Sequence, residues 1–166
     1  MKLKEYITQT DDSEVEMVAD TIVKQWKDAY RRQMNDMNPE PEEEASPEQL
    51  CALNARLQSG ASCGAEFAVW FPYHTRVNRN TKFDVAQMIE GNKWVTREIK
   101  GPSSLHYWKV HWRPFEVACI SLEAIKPPTA RKWKKQIQKW AQQYSEDSCW
   151  GILYVAGERA RMDYAH

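Results

Sequence analysis

No stretch of the 166 residues stays apolar for the length a bilayer crossing requires, and no signal-peptide pattern opens the chain. Four cysteines, Cys51, Cys63, Cys119 and Cys149, show neither a paired-thiolate zinc spacing nor a secretory disulfide framework. Reduced, mostly buried thiols and a cytoplasmic location without membrane contact are expected. A Ser/His/Asp nucleophile constellation, a phosphate-binding Walker loop, a dinucleotide fingerprint and internal repeats are also missing. His74, His106 and His111 have no partner at metal-ligand spacing. The last two flank Trp108 and Trp112, where packing or stacking is the expected role.

Net charge is missing too, because 23 basic residues balance 23 acidic ones. The balance is uneven along the chain. Residues 1–60 hold 7 Lys/Arg against 13 Asp/Glu, whereas residues 74–141 hold 14 against 5, a local balance of +9. That basic segment suits a polyanionic partner, and the acidic part works against indiscriminate binding. Eight tryptophans are many for this size. They serve as core, as base-stacking platforms or as a protein interface.

The length predicts one domain over residues 1–166. Apolar residues at three- and four-residue spacing, Val15 to Tyr30, predict a helix over 12–34 capped by Ser13. Residues 38–49 combine proline with five glutamates and form an acidic Pro/Glu loop. A short helix follows at 47–58 with Leu50, Leu53 and Leu57 inward. Residues 65–73 read as a strand. Phe83–Ile89 and Trp94–Lys100 flank Glu90-Gly91-Asn92-Lys93, whose centre suits a tight hairpin turn. Residues 105–125 read as a second extended pair within an insertion over 102–126. Pro127-Pro128 opens a helix with the stripe Trp133, Ile137, Trp140 and Tyr144. CWGILYVAG reads as a central strand. The expected fold is therefore α/β, a mixed central β-sheet flanked by helices.

WVTREIKGP, residues 94–102, carries the chemistry. Strand alternation puts Glu98 and Lys100 on one face, and Asp84 enters on the neighbouring strand. Two carboxylates so placed can hold a hard divalent cation, with the backbone carbonyl of Ile99 as a further oxygen ligand. Such a cation offsets charge on a phosphodiester and acidifies a bound water, while a lysine on the same face orients the water or stabilises developing charge. Arg131, Lys132, Lys134, Lys135 and Lys139 cover the polar surface of the helix after Pro127-Pro128. Arg131, Lys132, Lys135 and Lys139 are assigned as nucleic-acid contacts through phosphates.

Asp84, the interval across a hairpin, Glu98-Ile99-Lys100, and the Lys/Gln-rich helix and apolar strand that follow resemble the PD-(D/E)XK nuclease superfamily over roughly residues 65–157. The resemblance implies a restriction-endonuclease-like core with an extended insertion. It also implies a Mg²⁺- or Mn²⁺-dependent endonuclease acting on nucleic acid, most readily DNA, in a phage, mobile-element or defence setting. By it Asp84 and Glu98 are metal ligands and Lys100 is the catalytic lysine. Glu14 is the acidic residue of the first helix, with Glu66 as substitute, and Gln136 is the glutamine that some branches carry after the lysine. Phe83 in place of proline and the long insertion depart from the pattern. The competing expectation is a non-enzymatic, immunity- or antitoxin-like protein on the same scaffold, meeting a protein partner through the Trp-rich surface at 108, 112, 133 and 140. An oligomer is compatible with either.

Overall fold

A computed structural model of the chain describes residues 16–61, 70, 82–89, 91–144 and 146–164. Among them the order is α1 (Asp20–Gln33), a 3-10 turn (Pro41–Glu43), α2 (Pro47–Gln58), β1 (Lys82–Ile89), β2 (Lys93–Lys100), α3 (Leu105–Ser121), α4 (Pro127–Gln143) and α5 (Glu146–Tyr164). The described strands form one antiparallel hairpin, so the expectation of an α/β fold with a mixed central sheet is overturned. Most of the described residues are helical.

Two segments account for the difference. Residues 105–121, expected to be extended, are helical because Leu105, Trp108, Trp112, Phe115 and Cys119 recur at three- and four-residue spacing and all are buried. Pro114 inside this helix costs about 3 kcal/mol, since it removes a hydrogen bond and crowds the preceding turn. Burial of Trp112 and Phe115, at most 1 % exposed, offsets it. Aromatic side chains bury roughly 150–250 Å² each, about 4–6 kcal/mol of transfer free energy as an upper bound. CWGILYVAG lies in α5, not in a strand. Trp150, Leu153 and Tyr154 are buried there while Ile152 is 70 % exposed, so one face of the apolar run packs and the other does not.

The remaining helices follow local rules. Ser46 and Gln49 form a capping box at the start of α2, with the Gln49 N–H donating to Ser46 Oγ at 3.1 Å and the Ser46 N–H donating to Gln49 Oε1 at 2.9 Å. Leu50 and Leu53 on that helix are buried, and Leu57 packs against the core. Helix α1 begins at Asp20 after Ala19, later than the expected start, and residues 12–15 lie outside the described residues. The residue-65–73 segment also lies outside them except for buried Trp70.

Helix α3 is the hub, in contact with α1, α2, α4 and the 3-10 turn. Its Trp108 and Trp112 rings stack at 5.0 Å, and Phe115 meets Trp112 at 5.5 Å and Trp70 edge-on at 5.3 Å. The buried Arg161 guanidinium of α5 lies over the Phe115 ring at 5.0 Å and pairs with Glu158. No helix among the described residues is long and apolar enough to cross a membrane.

Candidate functional site

The turn between β1 and β2 folds as its residues demand. Gly91 and Asn92 both have positive φ, +83° and +56°, a conformation that glycine and asparagine accept at low cost and that matches the twist of a tight hairpin. The resulting register pairs Asp84 with Glu98, Phe83 with Ile99 and Lys82 with Lys100. Residues directly opposite in an antiparallel pair have Cβ atoms about 4.5–5.5 Å apart. Asp84 and Glu98, both exposed, are thus brought together, and Lys100 stands two positions beyond Glu98 on the same strand. Ile99 is half buried and packs against the main core, in opposite phase to the carboxylates.

The hairpin is fixed where it leaves the sheet. Gly101 has φ +138°, and a Cβ there would run into the Tyr154 ring and hydroxyl on α5. The Trp150 indole N–H, also on α5, donates to the Pro102 carbonyl at 2.8 Å. Small residues and one buried hydrogen bond therefore hold the base of the hairpin against the helical body.

Helix α4 presents a second feature. Its first turn uses Pro127 and Pro128, suited to helix starts, and its 17 residues include Arg131, Lys132, Lys134, Lys135 and Lys139 with no acidic residue. Ala130, Ile137 and Ala141 are buried on one side, and Trp133 and Trp140 are half buried against the core. On the other side Pro128, Arg131, Lys132, Lys135, Gln136 and Lys139 line a shallow groove of about 450 Å³. The four expected phosphate contacts and Gln136 therefore meet on one surface. Arg131 and Lys132 are exposed, and the groove continues past Lys135 and Gln136 to Lys139 one turn further along the helix.

The other expected positions fare differently. Glu14, Glu66, His74 and Cys63 lie outside the described residues. Trp108 and Trp112 are core residues, so the proposed Trp-rich surface loses them. His111 is buried, with Nδ1 2.7 Å from the Tyr107 carbonyl, and burial pushes its pKa below the usual histidine value against the smaller opposing effect of that carbonyl. Among the described residues, no group of three or more His, Cys, Asp or Glu is placed to hold a metal, so the hairpin offers two carboxylates and no third.

A charged cluster was missed in the sequence. Arg113 on α3 donates from Nη2 to Glu43 and from Nη1 to Glu116, both at 2.6 Å, tying the acidic loop to the hub helix. Its guanidinium is held charged beyond its usual range, chiefly by the Glu43 hydrogen bond. Tyr30 beside it has a raised pKa, mainly through burial, with Arg113 opposing. The i,i+3 pair Arg113/Glu116 would have signalled this had the segment been read as a helix. Trp94 was missed as well. It lies in phase with Thr96 and Glu98 on the polar face of β2 and is 68 % exposed.

Comparison of the chain with protein-family models, with curated proteins and with solved structures finds no match.

Proposed function

We propose that this protein binds nucleic acid through the basic face of α4. The observation that carries the reading is the groove in which Arg131, Lys132, Lys135 and Lys139 surround Gln136 while the opposite side of the helix is packed into the core. A helix held by its apolar side presents its cations at fixed spacing. Residues four apart rise about 6 Å along the axis, so Arg131, Lys135 and Lys139 form a row suited to successive anionic groups. Neutralising phosphates releases condensed counterions and makes affinity fall steeply with salt. Replacing the four cations with glutamine should weaken binding to every sequence alike and reduce the salt slope by roughly one counterion for each phosphate no longer neutralised. Unchanged affinity and slope in that variant would exclude α4 as the binding surface.

A second reading is supported by the hairpin register: phosphodiester hydrolysis assisted by a divalent cation at Asp84 and Glu98. Two carboxylates fit Mg²⁺ or Mn²⁺, which take oxygen ligands and retain several waters. When bound, the cation would offset phosphate charge and acidify water. Asp84 and Glu98 would hold it, with the Ile99 carbonyl as a further oxygen, and Lys100 is the residue for stabilising charge at the phosphate. Lys100→Ala should then suppress cleavage of a labelled DNA substrate by orders of magnitude while leaving metal binding intact. Equal cleavage by wild type and variant would remove Lys100 from the chemistry.

A further inference from the structure

A cavity of about 330 Å³ opens between α1, the loop ahead of α2, the first turn of α2 and the end of α3. That volume lies near the lower end of the roughly 300–1,000 Å³ of small-molecule sites. No residue of α4 lines it. Its floor is apolar, with Leu50 and Val117 both buried. Two polar side chains are sunk into its wall, Tyr30 at 4 % exposure and Ser121 at 3 %. Helical spacing places them. Tyr30 stands one turn from Lys27 on α1, and Ser121 one turn from Val117 on α3. Lys27 and Glu44 line the outer side, paired at 2.5 Å and each half exposed.

The two buried hydroxyls have opposite roles. Ser121 Oγ donates to the Val117 carbonyl at 2.6 Å, which uses its proton and leaves its oxygen as an acceptor. Tyr30 receives a hydrogen bond from Arg113, which can only donate, so its own proton is left to give. Burial raises the Tyr30 pKa against the opposing Arg113 cation, and the hydroxyl keeps that proton at neutral pH. The cavity thus carries a cation and a neutral donor on α1, Lys27 and Tyr30, and an anion and a neutral acceptor on the loop and α3, Glu44 and Ser121.

We propose that this cavity binds a small zwitterion, an α-amino acid with an apolar side chain. Its carboxylate accepts from Lys27 and Tyr30, its ammonium donates to Glu44 and Ser121, and its side chain covers Leu50 and Val117. An anion alone meets the like charge of Glu44, and a cation alone that of Lys27. A neutral apolar molecule leaves the Tyr30 proton and the Ser121 oxygen unmatched in a dry wall. A zwitterion satisfies all four groups. The Lys27–Glu44 pair does not block entry, because half-exposed ion pairs contribute little stability and open readily. Glu44 is also held in position. Glu43, the residue before it, accepts from Arg113 at 2.6 Å, which anchors this part of the loop to α3 before a ligand arrives.

The test is NMR titration of the isotope-labelled protein with L-leucine and L-phenylalanine, and with two analogues of the first. N-acetyl-L-leucine lacks the ammonium, and L-leucinamide lacks the carboxylate. Amide shifts around the cavity, on α1, α3 and the loop, should saturate with L-leucine, and each analogue should bind roughly tenfold more weakly. Glu44→Gln should weaken L-leucine by a similar factor and leave N-acetyl-L-leucine unchanged, while Lys27→Gln should weaken L-leucine and leave L-leucinamide unchanged. Equal affinity for L-leucine and both analogues overturns the proposal. So does a shift pattern away from the cavity, or no shift with millimolar L-leucine and L-phenylalanine. The analogue series needs only the wild-type protein, so it decides the matter even where a variant fails to fold. Its outcome leaves the α4 reading untouched, since the cations of that surface lie on another element.

Discussion

The indole N–H of Trp150 donates to the carbonyl of Pro102 at 2.8 Å across 48 residues of sequence, and this bond sets where the hairpin leaves the helical body. Both residues are buried. Trp150→Phe keeps an aromatic ring and deletes the donor, so the Pro102 carbonyl is left without this partner at a cost of about 1–3 kcal/mol. Gly101→Ala should cost more, because it combines a positive φ with a collision against Tyr154. Urea unfolding should show both losses. Hydrogen exchange should show faster opening of β1 and β2 in Gly101→Ala than in wild type, and equal protection would mean that the hairpin is held elsewhere.

Arg113 joins the acidic loop to α3 by bonding two carboxylates at once. Arg113→Met leaves Glu116, whose side chain is 7 % exposed, without that partner. Breaking a fully buried pair costs about 3–5 kcal/mol. Arg113 and Glu43 retain about 30 % exposure, so solvent screening brings the expected loss down to about 2 kcal/mol. Arg113→Lys should recover less than half of it, because a single ammonium does not reproduce the guanidinium fork. Urea midpoints for the two variants check both statements, and a full recovery by lysine would assign the effect to charge alone.

His111 gives the protein a pH dependence. Its Nδ1 faces a carbonyl, which only accepts, so the neutral ring carries its proton there. Burial lowers its folded-state pKa below the ordinary value of 6.5. As pH falls, the unfolded chain takes up this proton before the folded protein does. The contribution is therefore fully present above about pH 6.5 and is lost below it. Unfolding free energies should decline between about pH 7 and pH 5, and His111→Gln should flatten that decline. A slope unchanged by the substitution would place the titration on other groups.

The hairpin was legible because its turn chemistry is local: Gly91 and Asn92 announce positive φ, and the alternation around them fixes the register. The start of α2 was legible for the same reason, through Ser46 and Gln49. Helices α3 and α5 were not. Trp108, Val110, Trp112, Phe115 and Val117 have strand-like composition, and an unbroken run such as residues 149–157 has no periodicity to separate a buried strand from a buried helix. What decides these segments is which residues find partners, Trp112 and Phe115 inward and Ile152 outward, and that is a property of packing. The sheet inferred from them fell with them, while the juxtaposition of Asp84 and Glu98 needed only the hairpin.

That juxtaposition supplies the last prediction, which separates a metal site from a surface feature. Like charges directly opposite across a hairpin destabilise it, by the same 0.2–1 kcal/mol or so that a favourable pair contributes. Asp84→Asn removes one charge from the pair. In chelator at low salt the variant should therefore be more stable than wild type by up to about 1 kcal/mol. A cation held by both carboxylates reverses the order, since it binds the folded protein and stabilises it increasingly as its concentration rises. Millimolar Mn²⁺ should then raise the wild-type unfolding midpoint above that of Asp84→Asn, and calorimetric titration should give heat of binding with wild type alone. Glu98→Gln should behave as Asp84→Asn does. If Mn²⁺ moves none of the three midpoints, the carboxylate pair holds no metal, and divalent-assisted hydrolysis is left without support while the α4 surface is unaffected.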